Sequence, residues 1–371
     1  MKLTLAEVLG DLWPLAILAY AVSVTLTPII RWIAYRYNIV DRPDDKLKPH
    51  ARPVAYMGGL AVCGGLVVAL AVATLMRPSV WRLSLPVGLS AIVIALVGLL
   101  DDLRNLKPRQ KILGQMLAAG VLYIGLVQAG VHLSASRMFF GSVGIHMHPF
   151  LAMVVSGLLT LAVVVTASNA TNLIDGLDGL CGGVTGIIAL GFLALAVYLA
   201  MWGQNPQNDD FRVILCLVMA GAVLGFLPYN VPPASIFLGD AGSMLLGHFV
   251  ATMILLFALE GTARWFLAAG VIFGLPILDT SLAVVRRAIA GVNIFTGDRS
   301  HLYDQLVDRG MSVKRVVGLF YLLALAAAGL GLFQAIVIPR GRYGLVLDVL
   351  ILGAVFVLFA KKGMLHPPVK K

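Results

Sequence analysis

A polar stretch at residues 169–180, which reads NATNLIDGLDGL, lies between two apolar runs of about twenty residues each. Two amides, Asn169 and Asn172, precede two carboxylates, Asp175 and Asp178, and the members of each pair are three residues apart. On a helical turn this spacing places side chains on the same face. The neighbouring glycines let a ligand come close to the backbone. Because polar groups beside membrane-length apolar runs are costly, the stretch indicates a ligand or metal site.

A second acidic pair, Asp101 and Asp102, follows directly on another apolar run. Adjacent carboxylates repel each other, so they favour a nearby cation, which is either a metal or a Lys or Arg side chain. Lys107, Arg109 and Lys111 follow closely enough for the segment to fold back over an anion. The pattern predicts a metal or anion site, although acids exposed to water at a helix end would have the same sequence.

The segment 41–59 is basic, reads DRPDDKLKPHARPVAYMGG and ends in a pair of glycines. Lys46, Lys48, His50 and Arg52 are candidate contacts for a phosphate-bearing ligand. An ordinary basic loop on the cytoplasmic side of a membrane has the same composition. The segment alone does not decide between these two interpretations.

Asp240 and the residues around His301 complete the polar segments. Asp240 lies in FLGDAGS at the start of an apolar run, where it is either a helix N-cap or a metal ligand beside a bound phosphate. Asp298, Arg299 and His301 bring together a carboxylate, a bidentate phosphate donor and a titratable imidazole. A solvent-exposed face of an amphipathic helix would also explain the acids that follow His301.

Apolar runs long enough to cross a membrane connect these segments. Of the 371 residues, 60% are hydrophobic and 12% are charged, which excludes an ordinary soluble protein, and a span needs about 20 apolar residues. We predict an all-α, polytopic membrane protein with ten or eleven transmembrane helices, in a single domain over residues 1–371. Cys63, Cys181 and Cys216 lie within apolar runs, which predicts buried thiols. The eleven predicted spans are 12–33, 56–76, 84–100, 112–130, 150–168, 180–201, 213–229, 241–259, 265–285, 316–338 and 344–360.

The charged residues predict an orientation. Most of the 28 Lys and Arg residues share one face if the N-terminus is outside the cell, so the positive-inside rule places the C-terminus in the cytoplasm. Most of the 18 acidic residues fall on this same face, which a positive-inside bias does not require. Carboxylates and cations together indicate Mg²⁺-dependent phosphoryl transfer. An ion carrier would instead place its charges in the middle of its spans.

Taken in order, and over nearly the whole chain, these segments resemble the polyprenyl-phosphate N-acetylhexosamine-1-phosphate transferases. NATNLIDGLDGL is close to the family signature Asn-x-x-Asn-x-x-Asp-Gly-x-Asp-Gly-Leu, and LLDD, FLGDAGS and HARPVAYMGG are weaker matches. The resemblance implies transfer of a sugar-1-phosphate from a UDP-N-acetylhexosamine to polyprenyl phosphate, with release of UMP, at the cytoplasmic face of a bacterial inner membrane. It also implies Mg²⁺, or Mn²⁺ in its place, as cofactor. It allows a homodimer and implies no nucleic-acid partner.

The resemblance further implies roles for individual residues. The implied metal ligands are Asp240 and Asn172. The implied catalytic residues are Asp101, Asp102, Lys111, Asp175 and His301, of which Asp101 and Asp102 act on the lipid phosphate and Asp175 has no defined role. The expected substrate contacts are Asp178, Gly176, Leu177, Asn230 and Phe237 at the uracil, Arg299 with His301 at the diphosphate or sugar, and Asn169, His50 and Arg52.

Two departures from the family pattern bear on these expectations. Asn105 stands where many members have an acid. His301 is followed by Leu302, Tyr303 and Asp304 instead of further histidines, which is unlike the branch that uses UDP-MurNAc-pentapeptide and favours UDP-GlcNAc as the donor. The alternatives are the same chemistry on UDP-MurNAc-pentapeptide or a modified hexosamine, and a lipid or ion transporter without catalysis.

Overall fold

The computed structural model describes residues 3–42, 53–131, 133, 147–202, 206–291 and 301–338, together with scattered positions between 346 and 362. Within these ranges the secondary structure is α-helical apart from one 3₁₀ turn, a two-stranded antiparallel sheet of β1, Val40–Asp41, and β2, Val54–Ala55, and a single β-bridge between Ala55 and Ile236. The helices are α1 Leu5–Leu9, α2 Trp13–Arg36, α3 Gly59–Met76, α4 Trp81–Arg104, α5 Pro108–Gln128, α6 Pro149–Leu173, α7 Leu180–Trp202, α8 Pro206–Asn230, α9 Gly239–Ala258, α10 Ala263–Ile272, α11 Gly274–Ile289, α12 Leu302–Asp308 and α13 Val313–Val337.

The helices confirm the predicted polytopic all-α fold. Nine of the described helices are long and apolar enough to cross a membrane, and α10 with α11 adds a tenth if the pair is one broken span. The predicted span 265–285 is therefore not a straight helix, because α10 and α11 are bent by 74°. Gly274 and Pro276, which disfavour a helix interior, follow directly on the break. The eleventh predicted span, 344–360, lies largely outside the described residues.

The core of the protein is built around α9. Its most apolar window is entirely buried, whereas the corresponding windows of α2 and α6 are only 22% buried. α9 packs chiefly against α4 and α6, and it also contacts α3 and α10. A helix that is apolar on all sides is typical of such an enclosed position. Cys181 and Cys216 are buried, as predicted, whereas Cys63 is only partly buried. All three are free thiols.

Two glycines bring neighbouring helices against the first turn of α9. A Cβ atom added at Gly98 of α4 would collide with the backbone of Asp240 and Ala241, and one at Gly59 of α3 would collide with Gly242. Small residues at such crossings let helix backbones approach closely. As a result, the start of α9 lies against the end of α4, which carries the acidic pair.

The polar ends of the helices meet on one face of the bundle. α4, α6 and α8 end on this face, and α5, α7 and α9 begin on it, as the side-chain contacts between these ends show. The opposite face has its own ion pairs, in which Arg212 contacts Asp209 and Glu260, and Arg77 contacts Asp210. The separate polar segments thus converge on one face, as the sequence predicts.

Replacing Gly98 with alanine is expected to lower the melting temperature, because the new methyl group would collide with α9 and overpacking costs about 1–3 kcal/mol. Gly120→Ala in α5 is the matched control, since a Cβ atom there would have no neighbour within 4 Å and alanine favours a helix. Thermal unfolding of the detergent-solubilised variants measures both effects. Equal melting temperatures would contradict the close approach of α4 and α9.

Candidate active site

The ammonium group of Lys111, in the first turn of α5, lies at the centre of the site. Its Nζ is 2.7 Å from Oδ2 of Asp101 and 2.8 Å from Oδ2 of Asp240. It also donates to Oδ1 of Asn172 at 3.2 Å. The Lys111 and Asp101 side chains are only 17% and 8% exposed, so their attraction is screened less than that of a surface pair. Lys111 therefore joins α4, α5, α6 and α9 at one point.

Asn172, near the end of α6, is held in place by two side chains of α9. Its Nδ2 donates to Oδ1 of Asp240 at 2.5 Å and to Oγ of Ser243 at 2.8 Å. These bonds turn Oδ1 of Asn172 towards Lys111. Asp240 thus uses one carboxylate oxygen for Asn172 and the other for Lys111, and the three groups form one hydrogen-bonded unit.

Asp102 faces the N-terminus of α9. Its Oδ1 accepts from the backbone N–H of Asp240 at 2.7 Å, and its Oδ2 accepts from that of Ala241 at 3.1 Å. The first N–H groups of a helix have no partner within the helix, and the helix dipole favours a negative charge there. Gly239, with φ of +73°, makes the turn that brings these groups to Asp102. Asp102 therefore holds the backbone that carries Asp240.

Asp101 also closes the end of α4. Its Oδ1 accepts from the backbone N–H of Leu106 at 2.7 Å. Asn105 has a left-handed φ of +49° at the helix end. Asparagine tolerates this conformation better than most residues. In this chain Asn105 thus terminates α4 and lets the following residues fold back towards Asp101.

The stretch 169–180 divides between a helix and a turn. Asn169 and Asn172 lie on α6, but α6 ends at residue 173 and α7 begins at residue 180, so Asp175 and Asp178 lie in the turn between them. The expectation that these carboxylates share a helical face is therefore wrong. The two glycines of the stretch favour a turn over a continuous helix.

Asn230 and Asp178 fasten this turn to the segment between α8 and α9. The buried amide of Asn230 accepts from the backbone N–H of Gly179 at 3.1 Å and donates to the carbonyl of Ile236 at 3.0 Å. Oδ2 of Asp178 accepts from the backbone N–H of Ala234 at 2.8 Å. The structure thus places both residues at one rim of the site, where the side chain of Asn230 bonds to backbone groups.

Tyr56, for which the sequence predicts no role, lies beside the acidic cluster. Its ring packs edge-on against Phe237, with 5.9 Å between the ring centroids. Burial, and then the carboxylates of Asp41, Asp102 and Asp240, raise the pKa of Tyr56. The hydroxyl therefore keeps its proton and can donate a hydrogen bond. A tyrosine in a glycine-containing loop has no characteristic spacing, so no pattern in the sequence identifies Tyr56 as a residue of the site.

Asp175 borders the same cluster. Burial, and then the charges of Asp240, Asp102 and Asp178, raise the pKa of the Asp175 carboxyl well above its usual range. A carboxyl group with a raised pKa can hold a proton near neutral pH and donate a hydrogen bond. Asp175 therefore differs chemically from Asp240, which is bonded to the Lys111 ammonium group.

Asn169 connects α6 to α5 behind Lys111. Its Nδ2 donates to Oε1 of Gln115 at 2.7 Å and to the carbonyl of Val165 at 2.8 Å. Gln115 is buried and lies one helical turn after Lys111. The i, i+4 spacing of Lys111 and Gln115 is a signal that could have identified this residue from the sequence.

The short helix α12 docks on the 174–179 turn through Tyr303. The Tyr303 hydroxyl donates to the carbonyl of Leu173 at 3.0 Å, and its ring lies where a side chain at Gly176 would be. His301 stacks on Tyr303, with 5.5 Å between the ring centroids and 6° between the ring planes. The structure thus brings His301 next to the signature stretch.

The remaining expected residues fall into two groups. Leu177 is partly buried and packs against the hydrophobic core. His50, Arg52 and Arg299 lie outside the described residues, as do Lys46, Lys48 and Asp298. Their expected contacts with phosphate therefore stay predictions.

Comparison with known proteins identifies the family. Residues 84–258, which include Asp101, Lys111, Asn172 and Asp240, match the model of glycosyl transferase family 4. The decaprenyl-phosphate N-acetylglucosaminephosphotransferase of Mycolicibacterium smegmatis is 33% identical over 372 residues, which cover 94% of this chain and 88% of the relative. The chain belongs to glycosyl transferase family 4.

Two other relatives show which activities have been assigned within family 4. The probable undecaprenyl-phosphate N-acetylglucosaminyl 1-phosphate transferase of Bacillus subtilis is 33% identical, over 80% of this chain and 78% of the relative. The phospho-N-acetylmuramoyl-pentapeptide-transferase of a Geobacillus species is 31% identical, over 85% of this chain and 95% of the relative. The resemblance to the polyprenyl-phosphate N-acetylhexosamine-1-phosphate transferases is confirmed, and this membership favours a phosphotransferase over a transporter.

Replacing Asp102 with alanine is expected to lower the melting temperature, because two N–H groups at the start of α9 lose their acceptor at a cost of about 1–3 kcal/mol each. Asp102→Asn keeps one acceptor oxygen and should lose less stability. Thermal unfolding in detergent, with Asp210→Asn on the opposite face as the control, measures the difference. Melting temperatures of the alanine and asparagine variants that equal that of the wild-type protein would contradict the hydrogen bonding described for Asp102.

Proposed function

We propose that this family 4 protein transfers GlcNAc-1-phosphate from UDP-GlcNAc to a polyprenyl phosphate. A phosphate oxygen of the lipid attacks the sugar-proximal phosphorus of the donor. The new phosphorus–oxygen bond forms as the bond to the bridging oxygen breaks, and that oxygen leaves with UMP. The products are polyprenyl-diphosphate-GlcNAc and UMP. The observation that carries this proposal is the cluster of Asp101, Lys111, Asn172 and Asp240, which lies within the part of the chain that matches the family.

The side chains around this cluster divide the work between binding and support. Lys111 binds a phosphate oxygen of the substrates, and Asp101, bonded to it at 2.7 Å, orients its ammonium group and faces the lipid phosphate. Asp102 keeps Asp240 in place through the backbone of α9. Asp175 lies at the edge of the cluster, where a protonated carboxyl can donate to a phosphate oxygen. Positioning and charge stabilisation are what phosphoryl transfer chiefly requires of a protein.

The outer rim of the site contacts the uracil, the sugar and the remaining phosphate groups of the substrates. The turn residues Gly176, Leu177 and Asp178, together with Phe237, contact the uracil. Asn230 supports this rim because its amide bonds to the backbone on both sides of it. The basic residues His50, Arg52 and Arg299 contact phosphate groups, and His301 contacts the diphosphate or the sugar.

The oxygen atoms around Lys111 suit a divalent cation. Among the described residues no three His, Cys, Asp or Glu side chains could hold a metal by themselves. However, carboxylate oxygens of Asp101 and Asp240 and the amide oxygen of Asn172 all lie within 3.2 Å of the Lys111 ammonium nitrogen. Mg²⁺ takes a few such oxygens and completes its shell with water and substrate phosphate. Asp240 and Asn172 would hold Mg²⁺, or Mn²⁺ in its place.

When bound, a divalent cation there would neutralise charge that develops on the diphosphate during transfer. The residues of the chain have a separate role, which is to hold the carboxylate groups apart and to fix their orientation. Asn172 does this for Asp240, because its Nδ2 holds one carboxylate oxygen at 2.5 Å. The other oxygen of Asp240 remains directed towards the centre of the site.

UDP-GlcNAc is the preferred donor for two reasons. The relatives named for N-acetylglucosamine phosphate transfer are 33–35% identical to this chain, and those named for phospho-N-acetylmuramoyl-pentapeptide transfer are 30–31% identical. In addition, His301 is followed by leucine and tyrosine instead of further histidines, which is unlike the branch that uses UDP-MurNAc-pentapeptide. The side chain of Tyr303 docks α12 on the 174–179 turn. UDP-MurNAc-pentapeptide and other modified hexosamines are the alternative donors.

The orientation is part of the same proposal. We place the site face in the cytoplasm of a bacterial cell and the N-terminus outside, since the basic residues favour this arrangement. The whole chain, 1–371, would then act as one transferase domain in the inner membrane. A soluble nucleotide sugar reaches the site from the water side, and the lipid phosphate reaches it from the membrane.

Replacing Asp240 with asparagine is expected to reduce UMP release by at least about 100-fold, because one ligand charge is lost and the Lys111 contact weakens. The assay uses purified protein, polyprenyl phosphate, Mg²⁺ and UDP-GlcNAc, UDP-GalNAc or UDP-MurNAc-pentapeptide, with UMP measured directly. Asp210→Asn, an equivalent change on the opposite face, is the matched control and should keep activity. The proposed function fails if the wild-type protein releases no UMP from any of these donors.

Replacing Lys111 with methionine is expected to raise the affinity for Mn²⁺ by about tenfold, or 1.4 kcal/mol, because the competing ammonium charge is removed from the ligand oxygens. The same change should abolish UMP release, since the phosphate contact is lost. Electron paramagnetic resonance of free Mn²⁺, titrated without substrate, measures the affinity independently of activity.

Lys107→Met is the matched control for Lys111→Met, because Lys107 is exposed and lies one turn earlier in the chain. It removes the same net charge from the same face of the protein. Mn²⁺ affinity that is unchanged in Lys111→Met, or raised equally in Lys107→Met, would show that the ammonium group and the metal do not share these oxygens.

A further inference from the structure

Asp279 is a carboxylate within the apolar part of the chain, in the second turn of α11, and neither the motif nor the proposed reaction uses it. It is 1% exposed. An unpaired charge in such a position would cost several kcal/mol, and ionisable residues within membrane spans commonly mark functional sites. The partners of Asp279 therefore indicate what it does.

Both oxygens of Asp279 bond to the residues that begin α12. Oδ2 lies 2.7 Å from Nδ1 of His301, and Oδ1 accepts from the backbone N–H of Leu302 at 2.7 Å. On its other side, the His301 ring stacks on Tyr303, whose hydroxyl is bonded to the carbonyl of Leu173. The position and the plane of the imidazole, and the hydrogen bond of its Nδ1, are thus fixed by neighbours.

We propose that Asp279 is a positioning residue that sets the tautomer of His301 for the transfer reaction. A carboxylate at Nδ1 keeps a proton on that nitrogen in both the neutral and the charged imidazole, which leaves Nε2 as the nitrogen that meets the substrate. A carboxylate that orients a histidine in this way recurs in metal sites and in catalytic triads. The proposal rests on the proposed function, in which His301 contacts the diphosphate or the sugar.

The two bonds of Asp279 have different purposes, and substitutions can separate them. Its bond to Leu302 anchors α12, which any acceptor oxygen can do. Its bond to His301 requires an acceptor, and the amide of Asp279→Asn would present a donor there while its oxygen keeps Leu302. The His301 ring would then carry its proton on Nε2. Conversely, His301→Asn keeps a donor towards Asp279 but has no atom at the place of Nε2.

Asp279→Asn is expected to reduce UMP release at least about 10-fold, which is the lower end of the loss caused by removing the partner that orients a metal-bound histidine. The nitrogen-15 shifts of the His301 ring, assigned by their absence in His301→Asn, should change from the Nδ1–H to the Nε2–H tautomer. UMP release by His301→Asn should be reduced at least as much as by Asp279→Asn. The double variant should release UMP no more slowly than His301→Asn alone. The melting temperature of Asp279→Asn should stay close to that of the wild-type protein. Asp210→Asn is the control for an acid-to-amide change elsewhere.

Several results would overturn this proposal. Full UMP release by Asp279→Asn or by His301→Asn would show that the orientation or the imidazole is not needed. Reduced release by Asp279→Asn with an unchanged tautomer, or a further loss in the double variant, would mean that Asp279 acts through the fold and not through His301. If the wild-type protein releases no UMP, the proposed function fails, whereas the ring spectra still decide whether Asp279 sets the tautomer.

Discussion

The placement of one ammonium group between two carboxylates is the constraint on which the site depends. Asp101 and Asp240 come from different helices and are largely shielded from water, so without a cation between them their charges would repel. Lys111 supplies that cation within hydrogen-bonding distance of both. For Lys111 to reach them, the end of α4 and the starts of α5 and α9 have to meet. The glycine contacts of α4 and α3 with α9 make this approach sterically feasible.

A second set of polar side chains supports each group that faces the substrates. Asp102 holds the backbone of Asp240, Asn230 fixes the signature turn, and Asp279 fixes His301. Each of these residues bonds to at least one backbone group, so each couples a functional side chain to the position of a helix end or a turn. Functional groups supported in this way need little rearrangement when charge develops in a reaction.

The fold and the residues of the site follow from local features of the sequence. Which of these side chains bond to one another does not. Long apolar runs predict where the described spans lie, with ends that differ from the helix ends by up to seven residues. Alternation of the runs places Asp101, Lys111, Asn172 and Asp240 on one face. Asp101 and Asp102 look equivalent in the sequence, but successive helical residues point about 100° apart, so one meets Lys111 and the other meets α9. The break between α10 and α11, the turn that separates Asp175 from Asn172, and the pairing of Asp279 with His301 depend on tertiary contacts, which no local pattern encodes.

The complete enclosure of α9 also constrains how the protein is made. In the folded protein the apolar window of α9 is entirely buried, so α9 needs neighbouring helices, or lipid in their place, to cover it. Since synthesis proceeds from the N-terminus, α3, α4 and α6 are already inserted when α9 arrives, and α10 follows it. We therefore expect the early helices to leave an open side, through which α9 exchanges lipid contacts for protein contacts.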